Sequence, residues 1–364
     1  MFWQRYNLME KKQIVLTGGG TAGHVMVNLA IIPILQREGW TIDYIGSKNG
    51  IERELIEPIK GVTYHSISTG KLRRYFSVEN FKDPFKVLKG IGQTMRILSQ
   101  TKPQVIFSKG GFVSVPVLIG ARLKRIPAVI HESDLTPGLA NKIAVPFAKK
   151  VLATFPETLE HLPKEKTSWI GAVIRPELFD GDRKRGLRFA GLTDSKPVIM
   201  VMGGSAGAQR INEAVRHQLE ELTKTHQIIH ICGKGNLDPT INKFGYQQFE
   251  YVNEELPDLL AATDLVISRA GANAIFEFLA LEKPMLLIPL SRQASRGDQI
   301  LNAEAFKKQG YAHVLFEEDL SEESFLEKIN GLMIAENQIK IAMKAYQRQD
   351  ATKRVIDEID RLAK

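Results

Sequence analysis

The chain has 364 residues, of which 43% are hydrophobic and 25% charged, a composition that excludes disorder, collagen and coiled coil and predicts about two domains. Lys and Arg number 49 against 41 Asp and Glu, a balance of +8 that suits phosphate-bearing ligands, an anionic membrane surface or nucleic acid. A single cysteine, Cys232, excludes an intramolecular disulfide and a thiolate zinc site and fits a reducing compartment, and no apolar run approaches the ~18–20 residues of a membrane-spanning helix.

Residues 1–12 carry no periodic pattern and read as an N-terminal extension. The first strand, Gln13–Thr17, runs into Gly18-Gly-Gly-Thr-Ala-Gly-His24 and then a helix. Further β-branched runs at 41–45, 104–107, 128–131, 151–154 and 168–170 alternate with longer helical stretches. That alternation is the signature of a parallel sheet wrapped by helices, here a first domain over 13–178. The polar, Gly/Arg/Lys-rich segment 179–195 reads as a linker. The pattern restarts with Val198–Met202 running into Gly203-Gly-Ser-Ala-Gly-Ala208, followed by strands at 227–232, 249–252, 265–268, 285–288 and 312–315. This second domain covers 196–345 with 346–364 as a C-terminal helix, and the stretch 321–364, helical in spacing and poor in breakers, is expected as a tail that packs on either domain. The expected fold is α/β: two doubly wound, Rossmann-like domains with ligand sites outside the carboxyl ends of their strands, facing a cleft.

Glycines after a strand let the backbone approach an anion closely and present N–H groups at a helix N-terminus, so both loops are candidate phosphate cradles. Neither has the Lys-Ser/Thr pair of a P-loop. His24 falls in the first turn of the following helix, where the helix dipole disfavours imidazolium and leaves a ring able to accept a proton. After the strand 265–268, Arg269-Ala-Gly-Ala-Asn-Ala-Ile-Phe-Glu277 places small residues at a turn and a carboxylate two turns into a helix, suited to a ribose diol. Pro289–Asn302 is a polar loop rich in groups that hydrogen-bond sugar hydroxyls. Asp180-Gly-Asp182 matches a metal-holding pattern superficially, yet lies in the linker rather than at a strand end, and the other histidines show no ligand spacing. Residues 71–96 interleave seven basic residues with aromatic and aliphatic ones, against only Glu79 and Asp83. Such a stretch can lie on an anionic membrane surface.

Five segments in order, Gly-Gly-Thr-Ala-Gly-His (19–24), His-Glu-Ser-Asp-Leu-Thr-Pro-Gly-Leu-Ala-Asn (131–141), Gly-Gly-Ser-Ala-Gly-Ala (203–208), 269–277 and 295–302, resemble the MurG family over about residues 13–345. These bacterial transferases add N-acetylglucosamine from its UDP donor to undecaprenyl-diphospho-muramoylpentapeptide. The resemblance implies a GT-B fold, inversion at the anomeric carbon, no cofactor and no tightly bound metal. It implies that Gly19 and Gly20 meet the acceptor diphosphate, that Thr21, Ala22 and Gly23 face the donor, and that His24 or Asp134 is the general base. Arg175, Ser205, Tyr251, Val252, Arg269, Ala272, Asn273, Glu277, Asp298, Gln299 and Asn302 are the remaining donor-site residues so implied, with Glu277 on the ribose hydroxyls and residues 251–252 at the uracil. The implied place of work is the cytoplasmic face of the cell membrane, held there peripherally through 71–96, beside proteins of cell-wall synthesis and division. A UDP-sugar epimerase or a transferase for another lipid acceptor keeps the fold but not the motif order. A non-catalytic sugar-nucleotide-binding subunit has no need of both His24 and Glu277, and a nucleic-acid partner is supported by no recognition motif.

Overall fold

The computed structural model describes residues 12–70, 79–204, 208–293 and 295–364, with the backbone alone over 79–82. The chain divides into two compact units: one takes the residues up to Glu132, Pro137–Ile170 and Ala351–Lys364, and the other takes Ser133–Thr136 and Gly171–Asp350.

In the first unit, β1 (Gln13–Thr17), α1 (Gly23–Arg37), β2 (Thr41–Ser47), α2 (Ile51–Ile56), β3 (Val62–Ile67), α3 (Glu79–Thr101), β4 (Val105–Ser108), α4 (Ser114–Leu123), β5 (Ala128–Glu132), α5 (Leu139–Ala144), β6 (Lys150–Ala153) and β7 (Thr167–Trp169) follow in order. All pairings are parallel, and the strands lie β3-β2-β1-β4-β5-β6-β7. The central strands are buried on both faces, so they read as continuous apolar runs rather than alternating ones. One face packs Val15, Ile106 and Ile130 against Leu98 of α3 and Val117 and Leu118 of α4.

The second unit holds α6 (Arg183–Phe189), β8 (Val198–Met202), α7 (Gln209–His217), α8 (Leu219–Thr225), β9 (Gln227–Ile231), β10 (Tyr246–Phe249), α9 (Leu256–Ala262), β11 (Leu265–Ser268), α10 (Ala272–Ala280), β12 (Met285–Leu287), α11 (Asp298–Lys308), β13 (Ala312–Val314), α12 (Glu322–Ile334) and α13 (Glu336–Lys344). Its six parallel strands lie β10-β9-β8-β11-β12-β13. In each sheet the chain order reverses beside the strand that carries a glycine loop, β1 against β4 and β8 against β11, where such sheets bind ligands.

The segment expected as a linker is structured. Asp182 caps α6 by accepting the Arg185 N–H at 2.8 Å, and α6 packs on α9, whose Asp258 takes both Arg185 and the Asp182 amide. The final helix α14 (Ala351–Ala363) belongs to the first unit: Val355 and Ile359 are fully buried, the helix lies against β4, β5 and α1, and Arg354 donates to the Trp169 carbonyl at 3.2 Å. Helices α12 and α13 stay with the second unit, so the tail expected to choose one unit divides between both. Among the described residues no helix is long and apolar enough to cross a membrane.

Candidate functional site

The first glycine loop is built from the ends of β1, β2 and β4. Tyr44, buried on β2, donates its hydroxyl to the Gly18 carbonyl at 2.6 Å, and Asn28 of α1 donates to the Thr17 carbonyl at 3.2 Å. The amide of Gly19 donates to the Gly110 carbonyl at 3.3 Å, and that of Gly20 to Oε2 of Glu52 at 3.1 Å. Both amides expected to greet a diphosphate are therefore spent inside the fold. A side chain on Gly19 would overlap the Glu52 carboxyl, and one on Gly111 would overlap the Gly19 carbonyl, so close backbone approach is the reason for glycine at both. Thr21 is exposed, and Ala22, Gly23 and His24 are half-buried.

His24 stands at the start of α1 with Nδ1 at 3.0 Å from the Gly19 carbonyl and 3.2 Å from Thr21 Oγ1. A carbonyl oxygen only accepts, so Nδ1 carries the proton and the ring's lone pair sits on Nε2. The loop itself thus fixes which ring nitrogen carries the proton.

Two features of this neighbourhood were missed from sequence. Ser108-Lys-Gly-Gly111 follows β4 as a third glycine turn, and its strand-then-Gly-Gly pattern was a legible signal. Glu52, with no solvent exposure, left no signal beyond an acidic residue after Gly50.

The segment 131–141 divides. His131 is buried on β5, and burial first, then the charge of Lys109, drive its pKa far below the ordinary imidazole value, so it stays neutral. Glu132 accepts the Gly138 amide at 3.0 Å and Asn141 Nδ2 at 2.8 Å, which shapes the loop around Pro137. Asp134 belongs to the second unit, where its Oδ1 accepts Asn302 Nδ2 at 3.1 Å. Asn302 is fully buried; its amide also donates to the Ala270 carbonyl and accepts the Leu135 N–H. It was expected as a donor contact, and in the structure its side chain holds the Ala270 carbonyl, the Leu135 amide and the Asp134 carboxylate together.

In the second unit, α10 begins directly after Arg269-Ala-Gly271, so Ala272 and Asn273 stand at a helix N-terminus as expected, with Asn273 Oδ1 accepting Ser133 Oγ at 3.1 Å. Glu277 lies on α10 and is paired by Arg175: Nε to Oε1 at 2.8 Å and Nη2 to Oε2 at 3.1 Å. Burial draws the Arg175 guanidinium down, and the hydrogen bonds and charge of Glu277 more than offset it, so its pKa is raised. Sequence assigned these two residues separate contacts; the structure joins them.

Arg269 is only 5% exposed and pairs with Glu317 at 2.6 Å while donating to the Ile288 and Pro289 carbonyls. Glu317 also accepts the Ser291 amide at 3.3 Å, so this pair anchors the start of the polar loop and points away from solvent. Gln299 accepts the Leu290 N–H at 3.1 Å from the first turn of α11, where Asp298 also sits at the favourable end of the helix dipole. Val252 is buried, whereas Tyr251 is 71% exposed. Ser205 lies outside the described residues. Among the described residues no cluster of His, Cys, Asp or Glu has the makings of a metal site, and Asp182 of the superficial metal pattern is the α6 cap.

The sequence matches the glycosyltransferase family 28 N-terminal domain over residues 14–153 and the glycosyltransferase family 28 C-terminal domain over residues 198–359. It is 60% identical over 357 residues, 98% of this chain and all of the relative, to a protein of Oceanobacillus iheyensis named UDP-N-acetylglucosamine--N-acetylmuramyl-(pentapeptide) pyrophosphoryl-undecaprenol N-acetylglucosamine transferase. A protein of the same name from Geobacillus thermodenitrificans is 61% identical, covering 88% of this chain and 91% of its own. Among solved structures, MurG of Acinetobacter baumannii superposes with a TM-score of 0.75 at 24% identity, covering 96% and 99% of the two chains. The UDP-GlcNAc 2-epimerase of Neisseria meningitidis superposes at 0.68 with 12% identity, covering 96% of this chain and all of that one, a likeness of fold alone.

Proposed function

The chain belongs to glycosyltransferase family 28 and, within it, to the MurG transferases, and from that premise we infer that it moves N-acetylglucosamine from UDP-N-acetylglucosamine to the muramoyl C4 hydroxyl of undecaprenyl-diphospho-muramoylpentapeptide. It is a UDP-N-acetylglucosamine-dependent glycosyltransferase with a GT-B fold, acting in peptidoglycan synthesis. The full-length likeness to transferases of that name carries the reading.

The chemistry requires a base for the acceptor hydroxyl and countercharge for the departing UDP. His24 fills the first role through Nε2, since Nδ1–H is held by the Gly19 carbonyl; Asp134, bonded to Asn302, is the rival. The donor is bound by the second unit. Glu277 takes the ribose hydroxyls, for which each carboxylate oxygen keeps a second lone pair beside the Arg175 bond. Arg175 and the N-terminus of α10 offset diphosphate charge, residues 251–252 hold the uracil, and Asp298 and Gln299 meet the sugar. The Thr21–Gly23 turn faces the transferred sugar and the acceptor diphosphate. No metal takes part in this scheme.

The acceptor's lipid places the enzyme on the cytoplasmic leaflet. Support comes from α3, where Phe85 and Leu88 are 74% and 64% exposed on a helix that also exposes Lys89 and Arg96. Apolar side chains flanked by cations suit an anionic lipid surface, each cation adding about 1 kcal/mol. Residues 71–78 of that basic stretch lie outside the described residues.

The test is transfer of labelled N-acetylglucosamine to a short-chain lipid-diphosphate muramoylpentapeptide, with and without EDTA, following product and released UDP together. Transfer that persists in EDTA is the expected result. Donor binding with no transfer would redirect the reading to another acceptor, and loss of activity in EDTA would refute the metal-free scheme.

A further inference from the structure

Glu52 and His24 touch opposite ends of one peptide group. Gly19 C=O and Gly20 N–H belong to the same planar amide. Its N–H donates to Glu52 Oε2 at 3.1 Å, and its carbonyl accepts Nδ1–H of His24 at 3.0 Å. We propose that Glu52 is a positioning residue for the transfer reaction, acting on His24 through the Gly19–Gly20 peptide as carboxylate, amide and imidazole in series.

The carboxylate is built in rather than incidental. It has no solvent exposure, and Oε1 accepts the Ser47 amide at 2.9 Å and the Ser47 hydroxyl at 2.5 Å. Burying a carboxylate without such donors is costly, so three hydrogen bonds fix its place at the end of β2. Side chains on Gly19 or Gly50 would overlap it, which makes both glycines part of its cradle. The anion that the first loop approaches most closely is thus the protein's own.

Three consequences follow from elementary electrostatics. Pinning the N–H fixes the plane of the peptide and so the direction of its carbonyl. That carbonyl admits only a donor, which selects the tautomer with its lone pair on Nε2. A carboxylate on the N–H also polarises the amide toward its oxygen, which strengthens the hold on Nδ1–H and favours the imidazolium that forms when Nε2 takes a proton. The arrangement does the work of a carboxylate bonded directly to a catalytic histidine, with a peptide group inserted between them.

The other titratable and charged groups around this relay come from four elements. Tyr44 on β2 and Tyr64 on β3 donate to the Gly18 and Ser47 carbonyls, both at 2.6 Å, and burial above all, with the charge of Glu52 adding, raises both phenols so that they stay protonated. Arg53 on α2 pairs with Glu57 at 2.9 Å, and the buried Lys109 follows β4 beside Gly18. Of the acidic and basic side chains named here, it is Glu52 that accepts the Gly20 N–H.

The proposal rests on the reading of His24 as the base, so the test separates the two. Ring nitrogen shifts of labelled histidine, with the His24 signals assigned by loss in His24→Ala, report tautomer and titration without any substrate. In the wild type the Nδ1–H form should dominate. In Glu52→Gln, which keeps size and loses charge, the tautomers should mix and the ring should titrate at lower pH. Turnover should fall roughly ten- to a hundredfold, as when the outer partner of a working histidine is removed, with KM for UDP-N-acetylglucosamine little changed. The acidic limb of the kcat profile should move to lower pH, because a less basic ring loses its proton sooner. If Glu52→Gln does not fold, Glu52→Asp draws the carboxylate back from Gly20 N and should displace the same signals in the same direction. A folded variant whose His24 tautomer and titration match the wild type would overturn the proposal. Displaced ring signals with an unmoved kcat profile would uphold the relay and refute His24 as the base.

Discussion

In the first unit the carboxylate of Glu52 is met by neutral donors, two amides and a hydroxyl; in the second, Glu277 and Glu317 are each met by an arginine. Both solutions satisfy a buried acid near the carboxyl ends of a parallel sheet, but they differ in what they leave available. Neutral donors locked into backbone have one geometry and no charge to trade, so they suit a loop whose task is to hold a histidine still. An arginine is a mobile cation that a phosphate can compete for, which suits a site that admits a nucleotide diphosphate. Within the second unit the two pairs differ again. Arg269 with Glu317 is sealed and also tied to carbonyls, whereas Arg175 with Glu277 keeps 16% and 10% of its side chains exposed.

The sharpest way to break that contrast is Arg269→Ala, which leaves Glu317 buried without its cation. Stability should fall by about 3–5 kcal/mol, the usual cost of orphaning one member of a buried pair. Urea unfolding followed by fluorescence measures it, and a loss under about 1 kcal/mol would mean that the pair is not what anchors the 289–291 backbone. Glu277→Gln should act on function instead. A charged hydrogen bond to a ribose hydroxyl is worth about 1.5–3 kcal/mol, so KM for the UDP-sugar should rise roughly ten- to a hundredfold with a smaller change in kcat. An unchanged KM would place the ribose elsewhere. The smallest effect is expected from Tyr44→Phe, which removes the donor to the Gly18 carbonyl and should cost about 1–2 kcal/mol. Should that variant lose more stability than Arg269→Ala, the view of the second-unit pair as the costlier one to break is wrong.

Much of the architecture was legible because its signals are local. The expected strands at Gln13–Thr17, Val198–Met202 and Leu265–Ser268 coincide with β1, β8 and β11, since strands buried on both faces leave unbroken β-branched runs. The two errors fell on edge strands. β3 was missed and β10 was placed three residues too late, because Val-Thr-Tyr-His-Ser-Ile and Tyr-Gln-Gln-Phe face solvent on one side and carry polar residues there. At the site, the positions of His24, Ala272, Asn273 and Glu277 followed from strand, turn and helix phase. Their partners did not: Arg175 is 102 residues from Glu277, and Asn302 is 168 from Asp134.

The sequence by itself determined two parallel α/β sheets, the glycine turns after β1 and β8, and a family of transferases whose motifs recur here in order. Those are properties of short segments, set by side-chain periodicity and by the conformations glycine alone adopts without strain. Only the tertiary structure decided that α14 returns to the first unit, that Arg269 and Asn302 each bond both a carboxylate and a backbone carbonyl, and that Glu52 and His24 share one peptide. A buried polar group takes its partner from whatever segment packing brings within 3 Å, and the energy of that choice resides in desolvation and geometry, which no local pattern of residues encodes.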